Sequence, residues 1–362
     1  MSVDSLIRNI ITQDGYIKID DMMENVLSID PQSYYRSSRD IGQNGDFITA
    51  PEISQLFGEI IALWSIHNWQ KLGCPNKFAL IELGPGRGTL MRDLLRTAAK
   101  ILPEFFQAAQ IYLHDINPYF IKVQQEHLKI FDKNIQWIKM NYVPSLPIIV
   151  VANEFFDSMP IKQFIKVRSD WFESVLITDP LSGWIKYDKI RLSEALQDQL
   201  NIDHKEAKDG AVIEESIKSL EIIRSLSQHI VKYTGVILII DYGYNIPNND
   251  RTRNQYSPTL QAIKNHQYWP IIDSLSNADL TAHVDFDSLL RAAKEFGIRD
   301  FQFRCQGDFL REFGIEQRAK ILKQNLYQNE RYLIDKQVSR LVAKDQMGEL
   351  FKVLEITSSS FV

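Results

Sequence analysis

Short apolar blocks alternate along the chain with stretches whose hydrophobic residues recur every three or four positions. The blocks at 78–83 (FALIEL), 111–116 (IYLHDI), 135–138, 148–152 (IIVVA) and 236–240 (VILII) are rich in branched side chains and bounded by polar residues. Unbroken apolar runs of this length predict strands buried on both faces, as in parallel sheets. Between them, 90–101 and 119–130 carry helical spacing at lengths suited to right-handed crossovers. Ile213, Ile217, Leu220, Ile223, Leu226 and Ile230 predict one amphipathic helix leading into the strand at 236–240. The alternation predicts an α/β fold with a mostly parallel sheet covered on both faces.

Two regions leave that rhythm. The first seventy residues read as helical around a polar loop, Gln43-Asn44-Gly45-Asp46, with a helix at about 53–69. From 162 to 188 polar and apolar residues alternate, with turn signals at Arg168-Ser169-Asp170 and at 179–183 (DPLSG), which predicts antiparallel hairpins inserted after a core strand. The expected organisation is therefore an N-terminal helical cap region (1–71), a first core half (72–160), an inserted substrate-side subdomain (161–212) and a second core half (213–362). The last segment should hold helices at 286–296, 316–324 and 330–342 and a terminal strand at 351–356.

Composition narrows the function. Hydrophobic residues make up 44% and charged residues 24% of the 362, a balance that excludes disordered and collagen-like chains. The net charge of -5 offers no surplus for neutralising nucleic-acid phosphates, so no nucleic-acid partner is expected. Two cysteines, Cys74 and Cys305, are too few for a disulfide framework and lack the paired spacing of a zinc site; no metal is expected. No apolar run reaches the roughly 18 residues that span a bilayer. Among the first thirty residues Asp4, Asp14, Asp20, Asp21, Glu24 and Asp30 face only Arg8 and Lys18, whereas targeting peptides avoid acids, so a cytoplasmic protein is expected. A mitochondrial matrix location would apply only to a processed eukaryotic form.

The sharpest local signal is Glu82-Leu83-Gly84-Pro85-Gly86-Arg87-Gly88, after one strand and before a helix. Glycines at every second position let the backbone turn tightly and keep side chains away from a flat or extended ligand. A dinucleotide loop wants its third glycine one position later, where Thr89 stands. Glu82 would repel a pyrophosphate and favour the cationic S-adenosylmethionine. The alternative is a glycine turn that only packs strand on helix. Asp115, ending the next strand, suits both hydroxyls of a ribose, or else caps the helix that begins near Pro118.

After the fourth strand come Asn153, Glu154, Phe155, Phe156 and Asp157, at the sheet edge where open α/β folds bind ligands. Amide, carboxylates and aromatics together suit a planar nitrogen substrate, though the phenylalanines could equally be core and the acids caps. Upstream, 45–52 (GDFITAPE) could fold over the crevice and contribute Glu52, or could be plain N-capping at Thr49 or Ser54. Asp241-Tyr242-Gly243-Tyr244 ends the fifth strand. His283, in Ala282-His283-Val284-Asp285, is a candidate general base or substrate ligand, against a hydrogen-bonded structural role. Serine-hydrolase elbows, phosphate-binding Gly-Lys-Ser/Thr loops and His-Glu-x-x-His pairs are absent from the sequence.

Taken in order, these blocks resemble the MidA-like family of S-adenosylmethionine-dependent methyltransferases. The resemblance is carried by GDFITAPEISQLFGE (45–59), ELGPGRGTLMRDLLR (82–96), ANEFFDSMP (152–160), IDYGY (240–244), ADLTAHVDF (278–286) and MGELFKVL (347–354), almost end to end. It implies a seven-stranded, Rossmann-like class I methyltransferase sheet with an added N-terminal region and an insertion after the fourth strand. It also implies that Glu82, Gly84, Gly86 and Gly88 line the cofactor and that the 45–52 loop approaches it; Pro85, Asp115 and Asn153 are further expected cofactor-binding residues. The mitochondrial members are complex I assembly factors that methylate arginine, which implies a protein substrate, namely a subunit of the respiratory NADH dehydrogenase. Asp115 stands where the family is expected to have Glu, Leu275-Ser276 replaces an expected Pro-Gly, and Ser257-Pro258 stands where a glycine is usual.

The leading expectation is methyl transfer to a protein arginine, with Glu154, Asp157, Glu52 and His283 as the catalytic candidates. A homo-oligomer is possible. The alternatives are an assembly chaperone that retains the fold, and a small-molecule or lipid methyltransferase whose insertion encloses its substrate. A nicotinamide-dependent dehydrogenase is disfavoured by Thr89 and Glu82.

Overall fold

The computed structural model describes residues 3–29, 33–34, 49–247, 251, 256–264, 267–272, 275 and 278–358. The chain folds as two compact units, one of Asp40–Phe156, Ile222–Gly243 and Leu290–Val362, the other of Met1–Arg39, Asp157–Glu221 and Tyr244–Leu289. Val3–Asp14 therefore shares a unit with the insertion, while Gln55–Lys71 goes with the larger unit.

The larger unit is built on β1 (Phe78–Leu83), β2 (Ala109–His114), β3 (Ile135–Trp137), β4 (Ile148–Asn153), β5 (Gly235–Tyr244), β6 (Asp300–Cys305) and β7 (Phe351–Thr357). They lie in the order β6-β7-β5-β4-β1-β2-β3. The pairs β1–β2, β1–β4, β2–β3 and β4–β5 are parallel, and β7 runs antiparallel between β5 and β6. Every residue of β1 and β4 is buried, which is why these strands read as unbroken apolar runs. The strand order reverses between β1 and β4, and in open α/β sheets the crevice at such a switch point is the place for a ligand.

Helix α1 (Gln55–Lys71) buries residues on all sides, from Leu56 and Phe57 to Trp69, beneath α2 (Thr89–Ile101). Gly58 permits that contact, since a Cβ there would lie 2.7 Å from the Asp93 Cβ. Phe78 of β1 packs against Phe105 with ring centroids 5.0 Å apart, and burying such a ring stabilises by about 2–3 kcal/mol. Helix α3 (Pro118–Leu128) starts at Asn117, whose side chain accepts from the N–H groups of Tyr119 and Phe120, with Pro118 preset for the first turn. Asn117, not Asp115, is thus the cap.

The helix expected from Ile213 begins later. Helix α4 spans Ile217–Tyr233, and Ile213 lies instead on a strand, Val212–Glu215, paired antiparallel with Lys162–Val167. Its spacing from Ile217 matches a helical turn, but the intervening Glu214 and Glu215 pair in an extended ladder. Strand β6 carried no apolar run, because its residues are exposed or half-buried at the sheet's edge.

In the smaller unit, Lys162–Val167, Asp170–Thr178 and Ile185–Arg191 form the expected hairpins, joined by Ile17–Lys18 and Val212–Glu215 in one antiparallel sheet. Arg168 and Gly183 take left-handed turn conformations. A second sheet joins Gln261–Lys264, Gln267–Trp269 and Asp279–Thr281. The N-terminal helix Val3–Asp14 belongs here because its stripe of Val3, Ile7 and Ile11 is buried in one core with Met22, Leu176 and Leu280.

Candidate functional site

The glycine loop turns immediately after β1. Gly84, Gly86 and Gly88 have φ of 67°, 52° and 78°, the left-handed region that favours glycine. At Gly84 there is also no room, because a Cβ would approach the Phe155 Cδ2 to 2.8 Å. The Gly84 N–H donates to the His114 carbonyl (2.9 Å) and the Gly88 N–H to that of Pro85 (2.7 Å), closing the turn into α2.

Two carboxyls stand beside the loop. Glu82 is buried, and among the described residues its Oε2 has no hydrogen-bond partner. Burial, reinforced by the nearby Asp115, pushes its carboxyl up to about 8, against a hydrogen bond from the Met91 backbone. Asp115 is pushed up to about 6 by burial, and is held back by donors from the Asn117 N–H, the Gln124 amide and the Ile116 N–H. The Asn117 and Gln124 bonds are 2.8 and 2.7 Å long. Burial also lowers His114, whose Nδ1 lies 3.0 Å from the Ile138 carbonyl.

At the end of β4 the Asn153 amide donates to Glu154 Oε1 (3.1 Å), and its own Oδ1 is buried without a partner among the described residues. Glu154 has φ of 50°, a left-handed conformation for a residue with a side chain, at a strand terminus where strained backbone is often functional. Its Oε1 also accepts from the Ala50 N–H (3.0 Å), and Glu52 accepts from the Thr89 hydroxyl, so the 49–53 segment is tied to both β4 and α2. Ser54, rather than Thr49, caps α1. Gly45 to Ile48 of the 45–52 block lie outside the described residues. Phe155 and Phe156 are buried and stack edge-to-face at 5.3 Å.

Asp157 and His283 fall in the smaller unit, where the Ala282 N–H donates to the Asp157 carbonyl (2.9 Å). The His283 N–H donates to the Thr259 hydroxyl (2.9 Å), and burial lowers its imidazole while Glu214 raises it. Glu214, which the sequence reading passed over, accepts from the N–H groups of Thr259 and Leu260 and from the Gln163 amide. It thereby holds Thr259 and Leu260, which follow the Ser257-Pro258 departure seen in the sequence. Leu275 is buried, and Ser276 lies outside the described residues.

Gln124 likewise stands outside the sequence motifs. It occupies the buried stripe of α3 with Phe120 and Leu128, and a polar residue at such a position is the signal that exposes it.

Residues 60–303 match the family of S-adenosyl-L-methionine-dependent methyltransferases. The chain belongs to this family. Among similar proteins of this methyltransferase type, the mitochondrial protein arginine methyltransferase NDUFAF7 of Xenopus laevis is 30% identical over 96% of this chain and 82% of its own length. The NDUFAF7 of Homo sapiens is 31% identical over 85% of this chain and 72% of its own. A crystal structure from Burkholderia thailandensis with S-adenosyl-homocysteine bound shares the fold at a TM-score of 0.85 and 23% identity, covering 98% of this chain and 91% of that one. The expected fold, cofactor and enzyme class are those of the family. Among the described residues, no helix is long and apolar enough to cross a membrane.

The residues present fit the methyltransferase cofactor. An ammonium, a sulfonium and two ribose hydroxyls want acceptors. Glu82 and Asn153 supply buried acceptors, each with an oxygen left unpartnered among the described residues, and Asp115 supplies a half-buried one. The cofactor has no phosphate to oppose these carboxylates.

Proposed function

We propose that this methyltransferase acts on an arginine side chain of a protein, within a subunit of a respiratory NADH dehydrogenase whose assembly it supports. The observation that carries the reading is the similarity, over nearly the whole chain, to relatives named protein arginine methyltransferase. The carboxylates at the ends of β1, β2 and β4 agree with a cationic cofactor and a cationic substrate.

In this reading Gly84, Pro85, Gly86 and Gly88 leave room for the cofactor, Glu82 and Asn153 accept from its amino-acid end, and Asp115 accepts from its ribose. When bound, S-adenosylmethionine supplies a methyl carbon made electrophilic by the sulfonium. A guanidinium is protonated at neutral pH and must shed a proton as its nitrogen is methylated. Glu154 and Glu52 hold its N–H groups as paired acceptors, and the short tethers to Ala50 and Thr89 orient both carboxylates. Asp157 and His283 are further candidates for substrate binding or proton transfer, each tested by its own substitution.

Incubating the purified protein with methyl-labelled cofactor and extract from cells lacking it should label a protein band whose label hydrolyses to methylarginine. Tight cofactor binding without any labelled protein would overturn the reading.

A further inference from the structure

We propose that Gln124 is a positioning residue for the cofactor, its carboxamide clamping the glycine loop to Asp115 and keeping that carboxyl in its ionised, ribose-accepting form. The inference rests on the cofactor site proposed above and extends it to a side chain that would not itself touch the ligand.

The orientation of the amide is dictated by Trp137. An indole N–H can only donate, and Trp137 Nε1 lies 2.7 Å from Gln124 Oε1, so the amide oxygen must face β3. Both hydrogens of Nε2 then point the other way, one to the Gly86 carbonyl and one to Asp115 Oδ2, each at 2.7 Å. The side chain is fully buried, so none of these bonds is replaced by water. One turn further along α3, His127 Nδ1 lies 2.9 Å from the Arg87 carbonyl, so two successive loop carbonyls are gripped from one helix. The helix and loop are close enough that a Cβ on Gly88 would come within 3.3 Å of Gln124 Cγ.

The same amide acts on charge. Asp115 accepts from the Asn117 N–H through one oxygen and from Gln124 through the other. The titratable groups of this cluster are Glu82 on β1, His114 on β2 and His127 on α3; Asp115 disfavours ionisation of Glu82. Donation from Gln124 favours the charged form of Asp115, so its loss raises a carboxyl already pushed up to about 6 towards neutrality. Cofactor affinity that depends on ionised Asp115 should then begin to fall at a higher pH than in the wild type.

The test is calorimetric titration of the full chain with S-adenosylhomocysteine between about pH 5.5 and about pH 8.5, spanning the carboxyl range in question. Gln124→Leu should weaken binding about tenfold or more at neutral pH, as expected when a half-buried carboxylate and a loop carbonyl lose their donor. The acid limb of its affinity profile should move up by about half a pH unit or more. Gln124→Glu, which keeps the shape but sets a second carboxyl and its like charge beside Asp115, should do the same. Trp137→Phe frees the amide to turn over and should give a smaller loss in the same direction, about threefold. Affinity within twofold of wild type in folded variants, or a weaker affinity with an unmoved acid limb, would overturn the proposal in favour of a packing role. If Gln124→Leu fails to fold, Gln124→Glu and Trp137→Phe decide it by the same criteria. Absence of binding by the wild-type protein would instead overturn the cofactor site itself, and the inference with it.

Discussion

Replacing Gly84 with valine should weaken binding of S-adenosylhomocysteine by about 30-fold or more. Two penalties combine at this position. The backbone is left-handed, with φ of 67°, which costs a residue with a Cβ about 1–2 kcal/mol and a β-branched one more. The new side chain would also start 2.8 Å from a ring carbon of Phe155, and forcing carbon into a packed site costs about 1–3 kcal/mol. Their sum, about 2–5 kcal/mol against the receiving conformation of the loop, corresponds to a loss of about 30-fold to a few thousand-fold in affinity. Gly84→Ala should fall between wild type and Gly84→Val. Calorimetric affinity unchanged in Gly84→Val would remove the loop from the cofactor site.

Glu82→Gln should stabilise the ligand-free protein at alkaline pH while weakening cofactor binding. In the folded chain the Glu82 carboxyl is pushed from 4.5 up to about 8. A raised folded value means that this carboxyl's contribution to stability is fully present below the unfolded value and is lost as pH rises through about 8. The full loss is a few kcal/mol, roughly 4–5 at the ceiling set by about 1.4 kcal/mol per pH unit. Glutamine keeps the shape without a proton to lose, so thermal unfolding of the variant between about pH 6 and about pH 9 should show a flatter decline than wild type. The same change removes the negative charge available to the cofactor's cationic groups. A hydrogen bond to a charged partner contributes about 1.5–3 kcal/mol, so affinity should drop about 10- to 100-fold. An unchanged slope of melting temperature against pH would mean that Glu82 is already ionised in the free protein.

Much of this site is legible in the sequence because its signals are local. Strands β1 and β4 announce themselves as apolar runs since both faces are buried, and the alternating glycines after β1 have a backbone reason that needs no distant partner. Asn153 and Glu154 follow from their place at the end of a core strand. What stays hidden depends on partners far along the chain. Gln124 matters through Gly86, Asp115 and Trp137, which only the folded sheet brings together. Glu214 matters through Thr259 and Leu260. The N-terminal helix shows its apolar stripe in the sequence, but not that Leu176 and Leu280 would cover it. Strand β6 hides for the opposite reason: its exposed edge position demands no apolar pattern. Ile213 misled because one apolar residue at helical spacing cannot outweigh an antiparallel ladder formed with Lys162–Val167.

We propose that methyl transfer to arginine in a cellular protein uses the Glu82–Gly88 loop. It is tested most directly by mass-spectrometric comparison of arginine methylation in cells carrying the wild-type chain, cells carrying Gly84→Val and cells lacking the chain. At least one methylarginine, in a subunit of the NADH dehydrogenase, should be present in the first and missing from the other two. Identical arginine methylation in all three would contradict the account.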